Sequence, residues 1–479
     1  MKRLSLYLLS ALIISGCAIG KDYKRPEIDI PEKFSIPEKA AEEQIDSAWW
    51  EGFNDPKLNV LIVESIKQNQ DVRIAVARIN EYAGRYQATR SEMFPQVGAG
   101  AQGGRQKIPD YDILSQMGMN PTYNTWTVSA NANWELDIWG KLRRANEAAR
   151  ADLLSQEYAK RAVLLSLVTS VAQGYLNLIN LDLQLVISKQ TADSRKGTLK
   201  IFQDRYAGGV VSEVELNQVI SEYQLALAKI PQIEKAISQQ ENALCVLLGR
   251  NPGHIDRNMD LNNQKMPPIP SGLPSDLLER RPDIMQAEQA LIAANAKIGV
   301  AKAQYFPSIS LTGALGTTSA ELSDLFTGPA QVWNFSVPIT MPIFTAGAIR
   351  GQVKAAEAVR EETLANYKKT IQAAFADVDD SLTGYQKITE QGAAQEKQVQ
   401  ALRNYRDLSY LRYENGYTDY LEVLDADSRL FDTELSYVQT KSNQAFAVVS
   451  IYKAMGGGWK TAETILDPPK PDVKKADKK

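Results

Sequence analysis

The sequence predicts an α+β chain, mostly α, built as an internal duplication in which strand pairs precede very long helices. Three observations predict it. Landmarks recur at equal spacings: Asp71 lies 23 residues before Phe94-Pro95 and Asp283 lies 23 before Phe306-Pro307. Gly140 lies 65 residues before Arg205-Tyr206, Gly347 lies 65 before Arg412-Tyr413, and Gly209 and Gly416 follow at one offset. Self-similarity at fixed spacing marks a repeated unit. Second, four stretches alternate apolar and polar residues. Third, Lys141 to Ala207 and Ala348 to Asn415 contain no proline, so nothing in them forbids continuous helix.

The expected order begins with a leader at 1–16. Lys2 and Arg3 precede an 11-residue, mostly apolar run from Leu4 to Ile14, and small residues then lead to Cys17. A charged start, a short apolar run and small residues describe a secretory signal. The run is too short for a spanning helix, which needs about 20 residues. Its end in Cys resembles a bacterial lipoprotein signal, in which the Cys becomes the acylated first residue; Ala18, a non-Asp residue, then implies sorting to the outer membrane. Residues 17–55 are expected as a lipidated extended segment, with Pro26, Pro31 and Pro37 disfavouring regular structure.

The first repeat is placed at 56–270 and the second at 271–460. Each opens with a helix, about Pro56 to Glu92 and Pro282 to Gln304, stopped at Phe-Pro because proline pushes the preceding residue extended. Strands are expected at 96–105, 126–136, 308–316 and 332–342. In the second, Trp126, Val128, Ala130, Ala132, Trp134 and Leu136 alternate with Thr127, Ser129, Asn131, Asn133 and Glu135. Such alternation places one set on each face, and strands of about ten residues suit a tilted bilayer crossing. Trp126, Trp134 and Trp333 fall near the ends of the apolar faces, where interfacial aromatics sit.

Four strands cannot close a barrel. An open edge in lipid leaves backbone groups unpaired at several kcal/mol each, and the smallest membrane barrels use about eight strands. Several copies must therefore contribute. A 65-residue arm at 1.5 Å per residue reaches about 98 Å, and two arms leaving one rim side by side reach the same plane if equally long. Tips are expected at 206–212 and 413–419, each followed by a return helix (Glu213 to Leu248, kinked at Pro231, and Tyr420 to Met455). Residues 461–479 read as a disordered tail.

Composition excludes several classes. The net charge of −3 and the lack of a basic patch argue against nucleic acid. After the leader no run of 18 apolar residues occurs, which argues against a spanning helix. Of the two cysteines, Cys245 lies in an apolar helical context, so no disulfide is expected. His254 is the sole histidine and forms no zinc cluster. Gly98, Gly100 and Gly103 match GxGxxG but lie in a strand-like stretch with no helix following, so the dinucleotide reading fails its context. No cofactor, metal or catalytic constellation is expected.

The residues then resemble the TolC-like outer-membrane efflux channels, in the OprM-like lipoprotein branch. The resemblance rests on Asp22-Tyr23-Lys24-Arg25-Pro26, Trp134-Glu-Leu-Asp-Ile-Trp-Gly140, Ser271-Gly-Leu-Pro-Ser-Asp-Leu-Leu-Glu-Arg-Arg-Pro-Asp283, Phe306-Pro-Ser-Ile-Ser-Leu311, Pro342-Ile-Phe-Thr-Ala-Gly347 and Tyr452-Lys-Ala-Met-Gly-Gly-Gly-Trp459. It implies a homotrimer with a twelve-strand outer-membrane barrel, a periplasmic helical tunnel, and a periplasmic adaptor and inner-membrane RND transporter as partners. It also implies a gate at Asp425 and Glu422 with Arg412 and Tyr413, and with Leu421 or Leu424 nearby. The adaptor would meet Gly208, Gly209, Val210, Val211 and Ser212, and Gly416, Tyr417, Thr418 and Asp419. Glu422 and Asp425, three apart, share a helix face; Glu215 matches Glu422, and Gln218 matches Asp425. Two carboxylates 4 Å apart repel by about 1 kcal/mol in water and about 4 kcal/mol at an effective dielectric of 20, so a ring of them would be switchable. The function implied is a passive exit duct of a tripartite pump. Two alternatives stay open: a type I secretion channel, and a non-channel coiled-coil lipoprotein spanning the periplasm. An exported enzyme is disfavoured by the missing catalytic groups.

Overall fold

The computed structural model of the protein describes residues 18–31, 48–107, 109, 117–118, 120–258, 266–269 and 274–467. The leader, Cys17 and residues 468–479 lie outside the described residues. The chain divides into two compact units: 1–27, 78–157 and 286–368 form the first, and 28–77, 158–285 and 369–479 the second.

The first unit holds the sheet. Strands β1 (Gln96–Lys107), β2 (Thr122–Glu135), β3 (Ser308–Ser319) and β4 (Gln331–Ser336) pair antiparallel in that order, and β5 (Ile339–Thr340) pairs with β3. The expected fourth strand is broken. It stops after Ser336, because Pro338 has no N–H for the ladder, and resumes as β5. The Pro338 carbonyl still accepts from Ser310 N at 3.1 Å.

Register aligns the alternating sets of all four strands. Val128 faces Ala101 on one side and Thr317 on the other, Ala130 faces Ala99 and Leu315, Leu315 faces Trp333, and Gly313 faces Phe335. Directly opposed residues share a face, so Val97, Trp126, Val128, Trp134, Leu311, Leu315, Trp333 and Phe335 make one side of the sheet. Thr127, Asn131, Asn133, Thr318, Thr312, Asn334 and Ser336 make the other. Glycines 98, 100 and 103 lie within β1.

An N-terminal strap crosses this unit. Ile19 N donates to Trp139 O at 3.0 Å. Arg25 reaches Glu288 through two bonds of 2.7 Å, and the Tyr23 hydroxyl donates to the same carboxylate at 3.1 Å. Burial, with the Glu288 charge behind it, pushes the Tyr23 phenol well above its ordinary range. Glu288 lies on the helix Pro282–Ala303 and is buried.

The second unit is helical. Helix α1 (Pro56–Gln68) starts at Asp55, whose Oδ1 accepts from Lys57 N at 3.0 Å. The single helix expected to Glu92 is interrupted at Asn69. Asn69 Oδ1 accepts from Asp71 N at 2.8 Å and Val72 N at 3.1 Å and so starts α2 (Gln70–Ser91), while its Nδ2 donates to Leu247 O at 2.9 Å. The long helices are α3 (Lys141–Ala207) and α7 (Ala348–Glu414), 67 residues each; α4 (Glu213–Leu247) and α8 (Tyr420–Ala454) have 35 each. Between them in sequence come α5 (Leu277–Arg280) and α6 (Pro282–Ala303), most of which belongs to the first unit. Helix α4 continues through Pro231.

The main core gathers Trp49, Trp50, Phe53 and Leu58 with Leu164, Val171, Tyr175 and Ile179 of α3 and Val448 and Tyr452 of α8. A window of α3 is apolar enough over 18 residues to span a membrane by length and composition, and 61% of that window is buried inside the molecule, as a core helix requires. The disordered tail expected from 461 is corrected over its first residues. Trp459–Leu466 forms α9, Ala462 is buried, and Ile465 and Leu466 pack on the core. Lys160 and Arg161 hold Glu463 at 2.9 and 3.1 Å.

The run ending at Asp283 has a structural task here. Buried Arg281 bonds Asp283 at 2.7 Å, Asp377 at 2.9 Å and the Ala454 carbonyl at 3.1 Å, joining the start of α6, α7 and the end of α8.

Candidate functional site

The two helical hairpins of the second unit turn in the same way. Arg205 and Arg412 carbonyls accept from Val210 N and Tyr417 N, both at 2.9 Å, and Tyr206 and Tyr413 carbonyls accept from Gly209 N and Gly416 N, both at 2.9 Å. These bonds satisfy the last carbonyls of each long helix. They require a left-handed residue, supplied by Gly209 (φ 71°) and Gly416 (φ 74°).

The return helices start differently. Ser212 and Glu215 form a reciprocal capping box on α4: Ser212 Oγ accepts from Glu215 N at 3.2 Å and Glu215 Oε2 accepts from Ser212 N at 2.7 Å. Asp419 stands at the matching position of α8 and makes no side-chain cap. Glu422, at the position of Glu215, is therefore free to turn elsewhere. Its Oε1 accepts from Arg412 Nη1 at 2.8 Å and its Oε2 from Thr418 Oγ1 at 2.5 Å.

Between the hairpins lies a small apolar cluster of Phe202, Val219, Tyr420 and Val423, with Leu216, Tyr413, Val211 and Leu424 packed against it. The Tyr413 hydroxyl accepts from Arg205 Nη1 at 2.8 Å. The Arg205 guanidinium also lies 5.7 Å from the Tyr413 ring centroid and 6.0 Å from that of Phe202, within cation–π range.

The structure thus separates residues that the sequence groups together. Arg412 acts within the second hairpin, whereas Tyr413 links it to the first. Asp425 pairs with Arg429 one turn on at 2.9 Å, both well exposed. Leu424 is packed and Leu421 is 58% exposed. Of the expected adaptor-facing residues, Val210 and Tyr417 are the most exposed apolar ones, at 74% and 77%. Val211 is turned into the cluster, and Thr418 is engaged by Glu422.

Sequence reasoning missed Arg205 as a partner of Tyr413, and Arg429. It also missed Asp427, which sits beside a cavity of about 230 Å³ whose lining includes Arg195, Arg406 and Phe431. The Tyr410 hydroxyl donates to Asp427 at 2.9 Å. Burial raises the Asp427 pKa above the ordinary value against the opposing pull of Tyr410, Arg195 and Arg406. The Tyr410 phenol is pushed up to about 12 by burial and the Asp427 charge. Among the described residues no group of three or more His, Cys, Asp or Glu could hold a metal ion. His254 is exposed and meets Glu241 at 2.9 Å.

A sheet with one apolar and one polar face, together with paired long helical hairpins, defines a membrane-channel class of protein. The chain matches the family model of the outer membrane efflux protein over residues 61–250 and 273–457, and it belongs to that family. It is 33% identical over 466 residues to the toluene efflux pump outer membrane protein TtgC of Pseudomonas putida, covering 96% of each chain. It is likewise 33% identical over 457 residues to the cation efflux system protein CusC of Escherichia coli, covering 94% of this chain and 98% of the relative. The crystal structure of the open state of the Neisseria gonorrhoeae MtrE outer membrane channel superposes with a TM-score of 0.84 at 29% identity, covering 92% and 99% of the two chains.

Proposed function

We propose that this protein is the passive exit duct of a tripartite efflux pump: a homotrimeric outer-membrane channel, lipid-anchored at Cys17, that docks on a periplasmic adaptor and an inner-membrane RND transporter. The carrying observation is the register-aligned sheet, apolar on one face and polar on the other. Its end strands β1 and β4 each pair on one side only among the described residues. In lipid those edges need partners, and three copies joined β4 to β1 would supply twelve strands.

The helical hairpin tips form the periplasmic gate in this reading. Arg205–Tyr413 ties the two tips together, Arg412–Glu422–Thr418 braces the second tip, and Asp425 contributes charge at the constriction. Exposed Val210 and Tyr417 offer apolar contacts to the adaptor. The relatives named for toluene and for cations are equally similar to this chain, which supports selection of cargo by the transporter rather than by the duct. Deleting the gene should sensitise the cell to a panel of drugs, solvents, detergents or metal ions, and the wild-type gene should restore resistance. An unchanged panel would refute the efflux reading.

A further inference from the structure

The first unit contains a cavity of about 940 Å³ between the N-terminal strap and helices α6 and α7. Lys21, Lys24, Lys302 and Arg360 contribute to its lining, as do Asp22, Glu357 and Glu361. Lys302 is paired with Glu357 at 2.8 Å and Asp22 with Arg144 at 2.6 Å. Lys21, Lys24 and Arg360 enter no ion pair among the described residues, so three cations share the cavity with one unpaired carboxylate, Glu361. The strap carrying two of them is fixed in place. Asn295 Nδ2 donates to Lys21 O at 3.0 Å, Arg144 holds Asp22 at 2.6 Å, and Arg25 and Tyr23 grip Glu288. The two lysines are therefore presented by an ordered backbone rather than by a loose terminus.

The position of the cavity follows from chain geometry. Lys21 is four residues from Cys17 and so within about 14 Å of it, at no more than 3.6 Å per residue. Lys302 lies in the last turn of α6, six residues before β3 begins at Ser308. An acylated Cys17 and membrane-crossing strands bring both to the boundary between hydrocarbon and water, where the headgroup layer is several ångströms thick. Unpaired cations at that depth meet lipid phosphates.

We propose that this cavity binds the phosphate of an anionic phospholipid headgroup in the leaflet that holds the lipid anchor. The inference rests on the reading of Cys17 as an anchor and of the sheet as bilayer-crossing. Each Lys or Arg near such a surface strengthens the attraction about fivefold. Glu361 opposes it.

The test is native mass spectrometry of the full lipidated channel in detergent, titrated separately with phosphatidylglycerol, phosphatidylethanolamine and inorganic phosphate. Wild type should retain phosphatidylglycerol in preference to phosphatidylethanolamine. The triple variant Lys21→Gln, Lys24→Gln, Arg360→Gln should lose about a hundredfold in apparent affinity with its oligomeric mass unchanged. Glu361→Gln should gain about fivefold, a direction that general disruption would not produce. Equal phosphatidylglycerol binding in wild type and triple variant overturns the site, as does no preference over phosphatidylethanolamine. Displacement by millimolar inorganic phosphate would assign the cavity to free phosphate instead and also overturns it. An intact conducting oligomer with any of those results refutes the headgroup site alone; the lack of an oligomer refutes the channel reading with it.

Discussion

Arg205 donates from Nη1 to the Tyr413 hydroxyl at 2.8 Å, joining the last turn of α3 to the last turn of α7. The two residues lie at adjacent places in the matched hairpins, and their bond is a direct polar link between the two tips. A hydrogen bond to a charged donor at an exposed site contributes about 1 kcal/mol net. Tyr413→Phe removes it and keeps the ring against Phe202. The open population of the gate should rise about fivefold, read as larger resting conductance in planar bilayers and as uptake of a bulky antibiotic. Conductance equal to wild type would remove this bond from the gate.

Arg412 and Glu422 should behave as one unit. The pair is partly exposed, so its worth is about 0.5–1 kcal/mol. Arg412→Ala and Glu422→Ala should each raise resting conductance a few-fold, and the double variant should do little more than either alone, the signature of coupling in a double-mutant cycle. Strict additivity of the two effects would show them to be independent.

Asp425→Ala should widen the resting pore by a different route. It removes a carboxylate whose ring would hold cations between protomers, rather than a tie between segments, because its ion-pair partner among the described residues, Arg429, lies on the same helix. The increase should therefore shrink at high salt, since exposed charges are screened beyond about 8–10 Å at physiological ionic strength. A salt-independent increase would point to lost packing instead.

Asp427 makes the tip pH-sensitive. Burial raises its folded-state pKa above its unfolded value, so the folded tip binds this proton more tightly. The group's contribution to stability is fully present below the unfolded pKa, about 3.9, and is lost as pH rises through the raised folded value. Asp427→Asn still accepts from Tyr410 and should flatten this dependence. Hydrogen exchange of residues 406–431 between pH 4 and 7 checks it: wild-type protection should fall with rising pH while the variant's changes less. Parallel profiles would contradict the assignment.

The strap depends on Glu288. Glu288→Ala strips Arg25 and Tyr23 of their common partner. Arg25 is about half exposed and can rehydrate, so the cost is about 1–3 kcal/mol rather than that of a fully buried pair. Limited proteolysis should cut within 21–31 several times faster than in wild type.

How far the chain could be read from its residues depended on the range of the interaction. The strands were legible because period-2 alternation is local, and its phase carried through to a common apolar face at Val128, Leu315 and Trp333. The long helices were legible because no proline interrupts Lys141 to Ala207. The break at Asn69 was not, since an Asn starts a helix only when its neighbours leave their N–H groups to it, and here Leu247 also holds its amide. Helix α9 was hidden behind the Pro- and Lys-rich residues that follow it; its signal was the apolar spacing of Trp459, Ala462, Ile465 and Leu466. At the tip, Glu422, Asp425, Arg412 and Tyr413 were nameable by resemblance. Their partners were not, because Arg205 and Tyr413 are 208 residues apart and only the fold brings them together.

The most direct measurement of the central claim is the mass of the purified lipidated protein in detergent together with its conductance in a planar bilayer. The account predicts a complex of three protomers that forms discrete channels. A monomer that stays dissolved without detergent and conducts nothing would contradict it.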